Sequence, residues 1–170
     1  MDLVTERVLE LRDSPAAPRL RRGGNAASAR YAYPYLAWVW KDKPYLKSPV
    51  LRFAALAATH RDIPHRDVSL ARHLQRAGQA DKGIGATSIE RRLLLAVNSD
   101  LERMHSGLRS MLSSAASHQI GLDFDELWKL YRLWDHPQRQ TRDRTRDRLL
   151  EDYYQPDPAR TDDTADTQGR

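Results

Sequence analysis

The chain has 170 residues, of which 40% are hydrophobic and 30% charged, and its formal net charge is +5. This length suits one compact domain or two small helical lobes, and it is too short for most multidomain enzymes. The sequence contains no cysteine, which excludes disulfides, thiolate metal sites and cysteine nucleophiles. It also has no apolar run long enough to span a bilayer, so we expect a cytoplasmic protein with no membrane partner.

The hydrophobic pattern predicts helices along the chain and no strand, so the expected fold class is all-α. A first helix covers about residues 2–12 and ends before Pro15 and Pro18. Residues 19–24 are expected to form a basic loop. An aromatic, core-facing helix follows within residues 31–40, with Pro34 in its first turn.

Six further helices are predicted from their start signals and apolar stripes. They begin at Ser48-Pro49, at Asp67, at the Thr87/Glu90 capping box, at Ser99, at Asp123 and at Pro137, and they end near Ala58, Gly78, Val97, Ser117, Trp134 and Tyr154. The first of these six is apolar on nearly every face except at Arg52, so we expect it to be central.

Residues 79–86 contain Gly83 and Gly85 and are predicted to be an exposed loop. The loop would separate two small helical-bundle lobes, an N-terminal lobe at 1–78 and a C-terminal bundle at 87–154. Residues 155–170 carry four aspartates and two arginines among polar residues, which predicts a disordered acidic tail.

Basic residues are concentrated between Arg19 and Arg52, where eight of them face one aspartate. Such a bias favours a polyanionic partner, and arginine in particular binds phosphate through two parallel hydrogen bonds. Four clusters stand out: Arg19/Arg21/Arg22, Lys41/Lys43/Lys47 with Arg52, Arg91/Arg92, and the five arginines from Arg139 to Arg148. In each cluster the alternative is a solvated or ion-paired helix face.

Helix geometry separates the arginines of the final helix into two groups that lie on different faces. Arg139, Arg142 and Arg146 share a stripe with Leu149 and Tyr153, whereas Arg144 and Arg148 point elsewhere. The first three therefore lie along the core edge or face a bound partner.

No enzyme motif is supported. The sequence His65-Arg66-Asp67 resembles the catalytic loop of protein kinases, but Arg72 stands where a kinase needs asparagine and no glycine-rich phosphate loop precedes it. We read the segment as a polar loop whose aspartate caps the next helix.

The alternative for the same loop is a metal site, because His60, Asp62, His65 and Asp67 carry ligand types that suit zinc or manganese. Pro64 stiffens the loop, and no helical pair of histidines is present. We therefore expect no catalytic residue, no metal and no cofactor.

In chain order, several short segments resemble the CasB family, the small subunits of the type I-E CRISPR complex called Cascade. They are Leu-Arg-Arg-Gly at 20–23, Pro-Tyr-Leu at 34–36, Ser-Leu-Ala-Arg-His-Leu at 69–74, Glu-Arg-Arg-Leu at 90–93, Leu108-Arg109 with Leu112, Leu-Asp-Phe at 122–124, Trp134, and Glu-Asp-Tyr-Tyr at 151–154. The resemblance departs from the family at Phe124, where tryptophan is usual, and in a longer, arginine-rich stretch after Trp134.

The resemblance implies a non-catalytic subunit with two helical lobes that binds crRNA and target DNA, including the displaced strand. It also implies contact with a second copy of itself and with the Cascade backbone and large subunits. Together with the basic clusters, it gives the candidate nucleic-acid-binding residues Arg21, Arg22, Lys47, Arg52, Arg91, Arg92, Arg109, Arg139 and Arg142.

Two other classes remain as alternatives. A helix-turn-helix transcription regulator would need an exposed recognition helix, and the Arg52 helix is too apolar for that role. A metal-dependent nuclease would need the His/Asp loop to bind a metal.

Overall fold

The computed structural model describes residues 1–80, 85–115 and 120–157. In these ranges the chain forms α-helices and short 3₁₀ helices and no strand, with one isolated bridge between His65 and Leu122. The all-α fold class is confirmed. The α-helices are α1 (Leu3–Arg12), α2 (Ala17–Arg21), α3 (Tyr33–Trp40), α4 (Lys47–Thr59), α5 (Leu70–Ala80), α6 (Gly85–Val97), α7 (Leu101–Ala115), α8 (Phe124–Leu133) and α9 (Arg139–Tyr154).

Helix α4 is the centre of the fold, as its apolar sequence predicts. Helices α1, α2, α3, α7 and α8 all pack against it. Its residues from Phe53 to Ala58 are buried on every face, because Ala and Leu side chains let neighbouring helices approach from all sides. The helix begins at Lys47, slightly before the predicted cap at Ser48, and the Ser48 hydroxyl accepts a hydrogen bond from Arg52 instead of capping the helix.

The prediction of a loop at 19–24 is wrong, because this segment is helical. Pro18 lies in the first turn of α2, where its missing N–H needs no partner, and a 3₁₀ turn (Arg22–Gly24) follows. Leu20 is fully buried, and Gly23 lies so close to α4 that a Cβ there would be 2.9 Å from the carbonyl oxygen of Leu51. The glycine therefore allows this basic segment to pack directly on α4.

Helix α3 is less buried than predicted. Leu36 is its only fully buried residue in the core, whereas Trp38 is 45% exposed. The Trp38 indole N–H donates to the backbone carbonyl of Tyr35 at 3.0 Å, which holds the ring against its own helix. Aromatic side chains here interact with nearby cations and are not all directed into the core.

Helix starts are set by side-chain caps, of which some differ from the predicted ones. Ser69, and not Asp67, accepts a hydrogen bond at the start of α5 from the N–H of Arg72 at 3.2 Å. Asp100 caps α7 through the N–H of Arg103, while Asp123 caps α8 as predicted, accepting from two backbone N–H groups. Gly78 lies inside α5 and is buried, so α5 continues to Ala80.

One connected cluster of buried apolar side chains includes residues of both predicted lobes. Helix α5 packs on α6, α7 and α9, and α8 packs on α4, so contacts cross the predicted boundary. Residues 81–84 of that boundary lie outside the described residues. The division into lobes at 78 and 87 stays a prediction.

Only the beginning of the predicted acidic tail is described, namely residues 155–157. The backbone carbonyl of Gln155 accepts hydrogen bonds from Arg72 and Gln75, and the Asp157 carboxylate accepts two from Arg76 at 2.7 and 3.1 Å. Gln155 and Asp157 therefore contact α5, and residues 158–170 lie outside the described part. Within the described ranges, no helix combines the length and the apolar character that crossing a membrane requires.

Candidate nucleic-acid interface

Three of the predicted arginines meet at one groove with a volume of about 850 Å³. Arg21, Arg92 and Arg109 line it, and they come from α2, α6 and α7 respectively. We call this feature the arginine groove. Its floor is α4, which contributes Ala55 and Thr59.

The local sequence explains how each arginine reaches the groove. Arg21 follows the buried Leu20 at the end of α2, and Arg109 follows the buried Leu108 on α7, so each guanidinium lies beside a residue that anchors its helix in the core. The Nη1 of Arg92 donates to the hydroxyl of Ser110 at 3.2 Å, which links α6 to α7. Three separate helices therefore present positive charge to one space.

The groove is strongly positive because its single lining carboxylate is already paired. Glu102 lies 3.5 Å from the guanidinium of Arg52, whose side chain is only 15% exposed. Among the described residues, neither Arg21 nor Arg109 has an ion-pair partner, and both are exposed. The groove can therefore accept an anion without first breaking an ion pair of these two arginines.

Neutral polar groups complete the lining. Ser106, Ser110 and Ser113 of α7 line the groove, as does Asn25, which follows the 3₁₀ turn. The imidazole of His105 is 6% exposed, and its Nδ1 is 2.8 Å from the buried hydroxyl of Tyr131. Burial, reinforced by the charges of Arg52 and Arg109, lowers the pKa of His105 to about 4, so this ring is neutral at physiological pH.

Arg52, a predicted binding residue, is not part of the groove lining, and its guanidinium interacts with side chains of the protein. One guanidinium nitrogen donates to Ser48 and another pairs with Glu102, while Nε is buried without a hydrogen-bond partner among the described residues. Two of its three guanidinium nitrogens therefore have partners within the protein. Its contact with nucleic acid stays a prediction.

Arg22 and Lys47 are not part of the groove lining and instead cover aromatic rings. The guanidinium carbon of Arg22 lies 4.7 Å from the ring centre of Tyr31, and the Lys47 ammonium lies 4.6 Å from that of Tyr33. Both cation–π contacts leave the charge at the surface, where it can still contribute to the attraction of a polyanion.

Arg91 on α6 and the predicted residues on α9 lie apart from the groove. Arg91 is exposed on another face of α6, beside Leu94 and Leu95. Arg139 and Arg142 both pair with Asp143, at 3.3 and 3.7 Å. These three residues are therefore not brought together with Arg21, Arg92 and Arg109.

Arg146, in the arginine-rich helix α9, makes its contacts within the protein. Its guanidinium donates to the backbone carbonyls of Val97 and Trp134, pairs with Asp135 at 3.3 Å, and lies 4.9 Å from the Trp134 ring centre. This arginine fastens α9 to the end of α6 and to the segment after α8.

The His/Asp loop does not form the four-residue metal site considered as an alternative. His60 is 4% exposed, while His65 lies near Asp123 and Asp125, with ligand atoms within 4.8 Å of one another. These atoms already have partners: His65 Nδ1 accepts the N–H of Phe124, Asp123 caps α8, and Asp125 accepts the N–H of Asp2. Their arrangement joins the loop, the N-terminus and α8.

Sequence reasoning missed Gly24, Asn25, Thr59, His105 and the serines of the groove. The spacing of Ser106, Ser110 and Ser113 was an available signal, because these serines occupy the polar face of α7 opposite its buried stripe. His105 and Gly24 carried no signal, since their meeting depends on how α7 packs against the 3₁₀ turn.

No curated protein sequence matches the chain. Two solved structures, in contrast, share its all-helical architecture. The crystal structure of a Cse2-family CRISPR-associated protein from Thermus thermophilus is similar, with a TM-score of 0.64 and 21% identity over 89% of this chain and 95% of that one. The crystal structure of M. ruber CasB gives a TM-score of 0.69 and 19% identity over 95% and 96% of the two chains.

At these identities the two structures show a shared fold. The family assignment comes from the sequence itself, because residues 16–154 match the family model of the CRISPR-associated protein Cse2. This match covers most of the chain, including α2 to α9 and all three arginines of the groove. The resemblance inferred from the short motifs is confirmed, and the chain belongs to the Cse2 family of CRISPR-associated proteins.

Proposed function

We propose that this protein is a non-catalytic small subunit of a type I-E CRISPR Cascade complex, in which the arginine groove binds the phosphate backbone of nucleic acid. The ligands would be the guide RNA–target DNA hybrid and the displaced DNA strand. Its protein partners would be a second copy of the chain and the backbone and large subunits of Cascade. Membership of the Cse2 family supports this assignment.

The observation that carries the proposal is the convergence of Arg21, Arg92 and Arg109 on one groove. In Cascade-like complexes sequence is read by base pairing, so an accessory subunit needs affinity for phosphate without selectivity for bases. Guanidinium groups on three different helices, with hydroxyl groups between them, supply this kind of contact. The three arginines come from three different helices and not from one exposed recognition helix, which a helix-turn-helix regulator would require.

The lining also bears on catalysis. The groove contains serines and one imidazole, but Nδ1 of His105 is hydrogen bonded to Tyr131. Among the described residues, His105 makes no hydrogen bond to a serine, which a serine nucleophile would require of its base. This arrangement does not favour a serine nucleophile at the groove.

The proposal is tested by titrating single-stranded DNA and unrelated duplexes at several salt concentrations. The Arg21→Ala/Arg92→Ala/Arg109→Ala variant should bind more weakly, and its log–log salt slope should be flatter by about 2, since each neutralised phosphate contributes roughly 0.7. The exposed Arg7, Arg61 and Arg132 give a control variant with the same loss of charge outside the groove.

The control variant should keep a slope close to that of the parent protein, because only its long-range field has changed. Equal slopes for the groove and control variants would contradict the proposal. A strong preference of the parent protein for one duplex sequence would favour the transcription regulator instead.

A further inference from the structure

We propose that His105 is an additional binding residue of the arginine groove, a neutral imidazole that donates its Nε2–H to a phosphate oxygen of the bound strand. Tyr131 would be the positioning residue that fixes the ring. This inference rests on the proposed function, because it assigns a specific contact within the same groove.

The hydrogen bond to Tyr131 decides which ring nitrogen carries the proton. The Tyr131 side chain is fully buried, and burial raises the pKa of its hydroxyl, so the hydroxyl keeps its hydrogen. Among the described residues, His105 Nδ1 is the only hydrogen-bond partner of this hydroxyl. A buried O–H without an acceptor is unfavourable, so Tyr131 donates to Nδ1 and the ring hydrogen lies on Nε2.

Gly24 leaves Nε2 open to the groove. A Cβ at this position would lie 3.1 Å from Nε2 and 3.2 Å from the Cβ of Ala55, and both Gly24 and His105 line the groove. Nε2 has no hydrogen-bond partner in the described part of the chain, and it is not among the fully buried atoms that lack one, so it is not fully buried. An oriented donor therefore points into a space that lacks a protein acceptor for it.

The surroundings of the ring favour a phosphate as this acceptor. The charged and titratable groups around His105 and its groove are Arg109 and Glu102 on its own helix, Arg52 and His60 from α4 and its C-terminal cap, Tyr131 from α8, Arg92 from α6 and Arg21 from α2. Burial is the main reason that the imidazole is neutral, and the positive charges of Arg52 and Arg109, which lower its pKa further, also attract an anion to its free N–H. A neutral donor adds a hydrogen bond without displacing counterions.

Substitutions at His105 separate binding from packing. His105→Leu should weaken the affinity for single-stranded DNA about tenfold at every salt concentration, with an unchanged salt slope. His105→Gln should retain most of the affinity, because the glutamine amide N–H can replace Nε2–H. His73→Gln is the matched control, since His73 is also buried but bonds to the carbonyl of Gly121 away from the groove, and it should bind like the parent protein.

A second variant keeps the test valid if His105→Leu does not fold. Gly24→Ala retains the imidazole but places a methyl group against Nε2, so it should also weaken binding without changing the salt slope. In the free protein, nitrogen-15 chemical shifts should show the hydrogen of the His105 ring on Nε2 near neutral pH.

Parental affinity of a folded His105→Leu or Gly24→Ala variant would overturn the inference, as would a hydrogen on Nδ1. Equal losses in His105→Leu and His105→Gln would also overturn it, because they would indicate a packing role. These results differ from a failure of the proposed function, in which the parent protein itself would show no salt-dependent binding.

Discussion

His60, His73 and His105 are buried imidazoles, and burial is the largest cause that lowers the pKa of each. In the folded protein these imidazoles stay neutral to lower pH than in the unfolded chain, where histidine takes up a proton as the pH falls below about 6.5. The free energy of unfolding therefore has its full value above that pH, and it decreases as the pH falls towards the lower histidine pKa values of the folded protein.

Mild acid should consequently destabilise the protein. The pKa of about 4 for His105 corresponds to a loss of about 2 kcal/mol in the free energy of unfolding between about pH 7 and about pH 5 from this residue alone. Urea denaturation at the two pH values measures the difference, and His105→Gln should reduce it. An unfolding free energy that is the same at both pH values would contradict this prediction.

At the scale of single residues, the sequence gives Arg21, Arg92 and Arg109 as three of nine candidates and does not indicate that these three line one groove. Charge and spacing are alike in groove arginines and in structural ones such as Arg146. The difference lies in their partners, because Arg146 meets backbone carbonyls of other segments while Arg21 and Arg109 meet no carboxylate in the described ranges. Such partners are set by tertiary packing, which a single sequence does not specify.

At the scale of elements, the end of α9 is fastened to α5 by the residues that follow it. The Asp157 carboxylate is 5% exposed and pairs with Arg76, and the Gln155 carbonyl accepts hydrogen bonds from α5. A hydrogen-bonded ion pair with one buried partner contributes more than an exposed surface pair. The boundary of the folded part therefore lies beyond Tyr154.

Two truncations test this boundary. A chain that ends at Asp157 should unfold with nearly the parental free energy, whereas one that ends at Tyr154 should lose about 1–2 kcal/mol because Arg76 loses its partner. Thermal and urea denaturation of both chains measure the difference, and Asp157→Asn in the full chain serves as a control for the ion pair. Equal stability of the two truncated chains would show that these contacts contribute nothing.

The helices themselves are largely predictable, because their apolar stripes and caps are local. Leu101, Met104, Leu108, Met111 and Leu112 form the buried face of α7 as expected. The wrong predictions of helix boundaries arise where the same residue type can either begin or end a helix, or where two neighbouring residues can both cap it. Pro18 can stop a helix but lies in the first turn of α2, and Ser69 competes with Asp67 as the cap of α5.

At the scale of the whole molecule, the arginine groove exists only because α2, α6 and α7 meet over α4. Arg21 and Arg92 are far apart in sequence, and no periodicity relates them. The short motifs nevertheless indicate the family, and hence the all-α fold, because their order along the chain does not depend on contact geometry. The sequence thus predicts the family and the all-α fold, while the groove is visible only in the packed structure.

The central claim, that nucleic acid lies in the arginine groove, can be measured directly because the chain contains no cysteine. Ser106→Cys places a unique thiol in the groove, and Glu151→Cys places one on an exposed part of α9. Each variant is labelled with a photoreactive group and irradiated with single-stranded DNA or with an RNA–DNA hybrid. We predict efficient crosslinking from position 106 and little from position 151; equal crosslinking from both positions, or a stronger signal from position 151, would contradict this account.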